Sequence, residues 1–463
     1  MNVKVQIVIE AEPGEPPITQ EVAQFQRETL QSASLGLALV EAKTILQGVQ
    51  QALVEQQVSE YLTQQAVCNN CGGERVCKER RSIVYRTLFG KLNLQGVRLL
   101  HCPCQSHQTK SFSPLSDLLP QRSSPELLYL ETKFASLMSY GLSGKLLEEL
   151  LPISTRLNAG SVRHNLYQVA QRLEAELGEE QAVFIEGCPS AWAKLPRPDL
   201  PLTVGIDGGY VHSTEQTSKQ DGWFEVIVGK SVTATGNSKV FGLVHSADLK
   251  PKRRVFEVMK SQGMQMNQQV TFLSDGGDTV RELQLYLNPN AEHLLDWFHI
   301  TMRITVMKQM AKGLESEALK VTALKALEHM KWNLWHGKVW RALQWVDDLE
   351  MDLQAQDLNE KQRKVLKQLQ EFRVYISRNR SFIPNYGERY RYGEAISTAF
   401  VESTVNQVVS KRMVKKQQMR WSKQGAHLLL QVRSKVLNEE LQSTFQQWYP
   451  GFQVEAVEPA LAT

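Results

Sequence analysis

Four short stretches of this 463-residue chain carry an acidic side chain to the end of an apolar run or onto an apolar helix face. "LTVGIDGGYVHS" reaches Asp207 just before two glycines, and "QVTFLSDGGDTV" drops Asp275 before another glycine pair. "AEHLLDWFHI" ends in Asp296 with His299 three residues on, and "TAFVESTVNQVV" places Glu402 on a helix whose apolar face is Val401, Val405 and Val408. A single Asp-Gly-Gly run reads as a hairpin turn, because such pairs favour positive φ. Repetition changes the reading. Carboxylates that converge at strand ends repel one another and are costly to desolvate, which is tolerable when divalent cations fill the space between them. Three such oxygen ligand groups holding two Mg²⁺ ions would be able to activate a water or a 3′-hydroxyl and to stabilise the departing oxygen of a phosphodiester. Asp278, three residues past Asp275, competes for the second position, whereas Asp221 and Asp248 read as ordinary solvated loop acids.

The elements that must position these groups are legible in the same region. "LTVGIDGGYV", "GWFEVIVGKSVTA" and "KVFGLVHS" read as three strands, "KRRVFEVMKSQ" as a helix, and the stretches before Asp275 and Asp296 as two further strands. About a hundred mostly helical residues precede the helix of Glu402. Three strands, helix, strand, helix, strand and a late acidic helix is the ribonuclease H-like order, and the gap before Glu402 is long enough for an all-helical insertion. Trp297, Phe298 and the tryptophans of "KWNLWHGKVW" read as core packing.

A second constellation is built of cysteine. Cys68 and Cys71 form CxxC, and Cys102 and Cys104 form CxC at the far end of an alternating, hairpin-like stretch. Four thiolates gathered by a hairpin make a tetrahedral, structural zinc site with no open position for chemistry. The CxC half departs from the commoner spacing, so Cys77, His101 and His107 remain alternatives for one ligand.

Two stretches point to polyanions. "GKLLEELLPISTRLNAGSVRHNLYQVAQRL" has the spacing of a helix-turn-helix, with a break at Pro152 to Thr155 and Arg163 and His164 early on the second helix, where base edges are reached. Between Ser403 and Asn438 every charged residue is basic, including Lys411, Arg412, Lys415, Lys416 and Arg420, and phosphates are the natural counter-charge. Trp421 reads either as a base-stacking or as a packing residue. The overall balance is only mildly basic, with 53 Lys and Arg against 49 Asp and Glu. No window approaches the roughly 18 apolar residues of a membrane span. Six cysteines, four of them in short-range pairs, favour metal over disulfides, so the expected compartment is the cytosol. Residues 20–66 repeat apolar positions every three or four residues, as a helical hairpin or dimerising arm would.

"GIDGGYV", "FLSDGGD", "LLDWFHI" and above all "FVESTVNQVVSKRMVKKQQMRWSKQGAHLLLQVR" resemble the catalytic core of bacterial DDE transposases of the ISKra-type insertion sequences, relatives of the Mutator-like elements. The resemblance covers about residues 60–440. It implies that Asp207, Asp275 and Glu402 are the metal-binding triad. It also implies that Asp296 and His299 are the D-x-x-H pair assisting beside the active site, and that the chain carries out cut-and-paste or copy-type transposition on the inverted repeats of its own element. The expected organisation is an α/β chain: a helical arm (1–66), a zinc-ribbon-like module (67–120), a helical DNA-binding region (121–195), a ribonuclease H-like core (196–440) with a helical insertion at about 300–395, and a tail (441–463). The expected partners are duplex DNA at the element ends and target, and a second copy of the chain. A zinc-containing DNA-binding regulator with an inert core, and a nuclease of the same fold that cuts without joining, are the alternatives.

Overall fold

The computed structural model describes residues 1–10, 16–28, 31–32, 35–104, 110–153, 156–180, 188–192, 194, 201–215, 222–277, 280, 283–284, 287, 291–354, 359–414 and 419–454. They form two compact units, Met1–Val169 with Glu439–Thr463, and Ala170–Asn438.

The first unit begins with an antiparallel hairpin, β1 (Asn2–Ile9) and β2 (Ile18–Gln26), before a long helix, Leu39–Ala66. Helix was expected from residue 20. The strand forms because β1 alternates polar Asn2, Lys4 and Gln6 with apolar Val3, Val5 and Ile7, and pairing with such a template overrides the weak helical period of "ITQEVAQFQ". Glu41 sets where the helix starts, accepting the Ala38 amide (2.9 Å) and pairing with Arg27. A second hairpin follows, β3 (Cys77–Thr87) and β4 (Gly90–Leu100), with the short β5 (Ser111–Phe112) added beside β4. Ile83, Leu92 and Leu94 bury its inner face against Val54, Val58 and Leu62 of the long helix.

Helices Pro125–Leu137, Tyr140–Leu150 and Ala159–Glu176 come next, the first two capped by Ser124 and Ser139. The segment expected to be a tail instead packs within this unit. Helix Leu441–Trp448 places Phe445 5.4 Å from the ring of Tyr129, and Phe452 joins them at 5.2 Å from Tyr129.

The second unit is built on a five-stranded sheet in the order β10-β9-β6-β7-β8. β6 (Leu202–His212), β7 (Trp223–Thr233) and β8 (Ser238–Leu243) form an antiparallel meander. β9 (Val270–Ser274) and β10 (Glu292–Leu295) then add parallel to β6. Alternation along β6 turns Val204 and Ile206 to one face, where helix Pro251–Lys260 covers them with Val255 and Met259. The other face carries helix Ala399–Val405, the π-helical stretch Asn406–Val414 and helix Lys423–Leu437. Between β10 and Ala399, helices Trp297–Ala311, Glu317–Trp335, Val339–Gln354 and Glu360–Arg378 enclose their own core of Ile304, Met307, Leu327, Val346, Leu369 and Phe372. Within it Trp297 packs against Trp335 and Tyr386, but Trp332 and Trp340 are 48% and 60% exposed, so "KWNLWHGKVW" is only partly core.

Candidate functional site

Sheet register brings three of the acidic groups to one end. Gly205 pairs with Leu273 in the parallel β6/β9 ladder, so continuation by two residues sets Asp207 level with Asp275. Leu295 pairs with Ser274 in β9/β10, and the Asp296 amide donates to the Ser274 carbonyl (2.8 Å), setting Asp296 beside Asp275. Asp207 is half-buried. Burial raises its pKa, the Gly208 amide and His299 oppose that, and the charges of Asp275 and Asp296 add to the rise. Asp275 accepts the Gly277 amide (3.0 Å), and its carbonyl accepts the hydroxyl of Tyr375 (3.1 Å). Among the described residues, neither Asp207 nor Asp275 forms an ion pair with a lysine or arginine.

Asp296 does something different. Its carboxylate is fully buried and accepts from the Phe298 amide (2.9 Å), the Thr398 amide (3.0 Å), the His299 Nδ1 (2.6 Å) and the Thr398 hydroxyl. Burial alone would raise its pKa, but these bonds overcome burial and lower it. With both oxygens engaged, Asp296 has no free position for a metal. It is a positioning residue that orients His299 and fixes Thr398, the residue leading into helix Ala399–Val405. His299 has its pKa raised, first by the bond to Asp296, against burial, and then by the charges of Asp296, Asp207 and Asp275.

The helix of Glu402 reaches the sheet where β6 has no side chains. Gly205, Asp207 and Gly209 share a face by the two-residue period. A Cβ at Gly205 would stand 2.2 Å from Val401 Cγ2 and 2.7 Å from Phe400 Cζ, and one at Gly209 would stand 3.2 Å from Val405 Cγ1. The helix therefore lies against β6 on both sides of Asp207. Glu402 is exposed, one position past the buried Val401, and no hydrogen bond or ion pair joins its carboxylate to another described residue. Asp207, Asp275, Asp296 and His299 are thus brought together, with Glu402 on the adjoining helix. Asp278 and Asp221 lie outside the described residues. The sequence reading missed Thr398, Tyr375 and Gly205, of which only Gly205, inside an apolar strand run, leaves a local signal.

A second group of Glu174, Asp248 and His427 also has the geometry to hold a metal ion. A cation from the chain itself already lies within it. Arg254 donates to Asp248 (2.8 and 3.0 Å), Glu174 (2.9 Å) and Gln431 (2.6 Å), with His427 Nε2 3.4 Å away. Burial works against ionisation of Glu174, but the hydrogen bonds from His427 and Arg254 prevail and bring its pKa down to about 2. Asp248, expected to be a solvated loop acid, is buried because this guanidinium holds it.

In the first unit, Cys68, Cys71, Cys102 and Cys104 come together with their sulfurs within 4.8 Å of one another. Cys68 and Cys104 are 3.6 Å apart, and Cys71 and Cys102 are 3.4 Å apart. A tetrahedral zinc with Zn–S bonds of about 2.3 Å sets sulfur–sulfur edges of roughly 3.8 Å, so the cluster is compatible with structural zinc. The Cys71 and Asn70 amides hold the Cys68 thiol down to about 6, already biased toward thiolate. Cys77 donates instead to the Glu79 carbonyl (3.6 Å), His101 stacks on Phe112 at 4.7 Å, and His107 lies outside the described residues.

The basic residues divide. Arg163 and His164 are exposed on helix Ala159–Glu176, and Lys411 and Arg420 are exposed, but Lys415 and Lys416 lie outside the described residues. Arg412 is fully buried, its guanidinium 5.2 Å from the centre of the Trp421 ring, so it packs rather than meets a phosphate. Trp421 is itself 3% exposed, which makes it a packing residue. Arg433 is buried too, and donates to the carbonyls of Val408 and Gln407, which the π-helical stretch leaves in reach. Among the described residues no helix is long and apolar enough to cross a membrane. Comparison with models of known families and with curated proteins gives no match.

Proposed function

We propose that the chain is a DDE-type DNA transposase that cuts and joins phosphodiesters at the inverted repeats of its own element. The observation that carries this reading is the placement of Asp207 and Asp275 level with one another where the parallel β6/β9 ladder runs out, with no lysine or arginine ion-pair partner among the described residues, so that the charge of Asp275 adds to the cost of charging Asp207. Three antiparallel strands followed by two parallel to the first support a ribonuclease H-like core. The break between helices Tyr140–Leu150 and Ala159–Glu176, with Arg163 and His164 exposed after it, supports a helix-turn-helix-like contact to duplex DNA. The four-cysteine cluster supports a structural zinc.

The donor set fits hard divalent cations, because it is made of carboxylate oxygens whose mutual repulsion nothing else in the cluster relieves fully. Asp207, Asp275 and Glu402 would hold two Mg²⁺ or Mn²⁺ ions, which when bound supply activation of a water or 3′-hydroxyl and stabilisation of the leaving oxygen. Asp207, holding its proton to higher pH than an ordinary aspartate, loses it on taking up a cation. His299 has Nδ1 committed to Asp296, which leaves Nε2 to donate to a phosphate oxygen of the DNA. Asp296 holds that ring in place. The chain works as a dimer that pairs two element ends.

The test is incubation of the full chain with labelled duplexes carrying the repeats that flank its gene, with Mg²⁺ and target DNA. Cleavage and joined product in the wild type, with both lost in Asp207→Ala and Asp275→Ala, are expected. Cleavage without joining would leave a nuclease, and undiminished cleavage by both variants would overturn the reading.

A further inference from the structure

Within the first unit, a cleft of about 580 Å³ lies between β3, the loop before helix Pro125–Leu137 and the start of helix Ala159–Glu176. Its volume falls in the range of small-molecule sites, roughly 300–1,000 Å³. Arg86, Arg122 and Arg156 line it, together with Asn158, Ser161 and His164. Hydrogen bonds anchor the backbone around the three arginines. The Arg86 amide donates to the Arg122 carbonyl (2.9 Å) and the Ser124 amide to the Arg86 carbonyl (2.7 Å), which seats Arg86 and Arg122 side by side. Arg156 is held through its neighbour Leu157, whose amide donates to Glu148.

Among the described residues, none of the three forms an ion pair. One acid lines the cleft, Glu131. It is 1% exposed and accepts from Asn165, so its charge is spent beneath the surface, next to Arg86. Three arginines lining one polar cleft suit the tetrahedral oxygens of phosphate, since each planar fork offers paired donors. The hydroxyl of Ser161 and the imidazole of His164 add donors, and the first turn of helix Ala159–Glu176 adds its positive end.

We propose that this cleft is a phosphate-binding site, taking either a phosphodiester of nucleic acid or the phosphate of a small free compound. It rests on the DNA reading only where the phosphate belongs to a duplex, and it makes no use of Asp207, Asp275 or Glu402. Arg163 lies on the same helix outside the cleft lining and serves as a control for binding of free phosphate.

The experiment uses the full chain in two arms. Calorimetric titration with inorganic pyrophosphate reads the free-phosphate source. Anisotropy of a fluorescein-labelled duplex across a salt series reads the nucleic-acid source. Binding of pyrophosphate at least about tenfold weaker in Arg122→Gln with Arg156→Gln than in wild type supports the site, as does a fall of about two in the salt slope for duplex binding. A changed slope assigns the phosphate to nucleic acid, and a pyrophosphate effect with an unchanged slope assigns it to a free compound. Arg122→Lys with Arg156→Lys, which keeps the charge, recovers part of the loss. Wild-type behaviour of the double Gln variant in both arms, or an equal loss of pyrophosphate binding in Arg163→Gln, overturns the proposal.

Discussion

Two clusters of the second unit contain the same chemistry and are held in opposite ways. Glu174, Asp248 and His427 surround the guanidinium of Arg254, and Glu174 is as a result acidic, its pKa brought down to about 2 by bonds that outweigh burial. Asp207 and Asp275, with His299 and Asp296 beside them, have no such arginine among the described residues, and the pKa of Asp207 goes up. Carboxylates near a histidine therefore do not by themselves mark a metal site. What matters is whether the chain already supplies the cation. The first cluster is closed by its own charge, and the second keeps an electrostatic need that a divalent ion would meet.

Removing the cation of the closed cluster should give the largest effect on stability. Arg254→Met strands the buried Asp248 and the partly buried Glu174, and breaking such a network costs about 3–5 kcal/mol, read as a lower urea midpoint. A loss below about 1 kcal/mol would mean that the network is not what neutralises Glu174 and Asp248. Gly205→Val comes next. It forces a side chain into the space of Val401 and Phe400, and overpacking of this kind costs about 1–3 kcal/mol. DNA cleavage should fall further than stability does, because the helix of Glu402 must move off β6. Equal retention of activity would show that the close approach at Gly205 does not position Glu402.

In the open cluster, substitution should cost no stability. The raised pKa of Asp207 means that the folded state holds the proton more tightly than the unfolded chain does, so this group lowers stability as pH rises through its unfolded value, about 3.9, to its folded one. Asp207→Asn removes that decline, and its melting temperature above pH 6 should match or exceed that of wild type. Clear destabilisation would place Asp207 in the closed class. The smallest effect concerns His299. Its raised pKa gives a contribution that is complete below the unfolded value of about 6.5 and lost as pH rises through the folded value. A pH series of melting temperatures should therefore be flatter above neutrality for His299→Gln than for wild type. An unchanged profile would mean that the bond to Asp296 does not depend on the charged ring.

The same contrast explains what was legible in the sequence. Cys68, Cys71, Cys102 and Cys104 announce themselves because their spacing is local and a hairpin joins the halves. Asp275 is legible because an apolar strand stops at a carboxylate and glycines; Asp207 carries the same local signal, although β6 runs on to His212, and parallel register sets the two level. Asp248 was misread because its guanidinium partner sits six residues on while Glu174 and His427 come from remote helices, and no periodic pattern links them. Asp296 reads as one more strand-end acid, and only the fold shows that Thr398 and His299 use both its oxygens. The basic run after Glu402 is one-sided in sequence, yet Arg412 and Arg433 are buried. The π-helical stretch shifts the face by a residue and exposes carbonyls that Arg433 satisfies. Residues 18–26 carry both periods, and β1 decides for strand.

Titration of the full chain with Mn²⁺ by calorimetry, at a pH above the titration of Asp207, tests the difference between the clusters most directly. The account predicts binding in wild type with release of protons as pH is lowered, its loss in Asp207→Asn with Asp275→Asn, and unchanged binding in Asp248→Asn. Mn²⁺ binding that survives the first pair of substitutions but disappears with Asp248→Asn would contradict it.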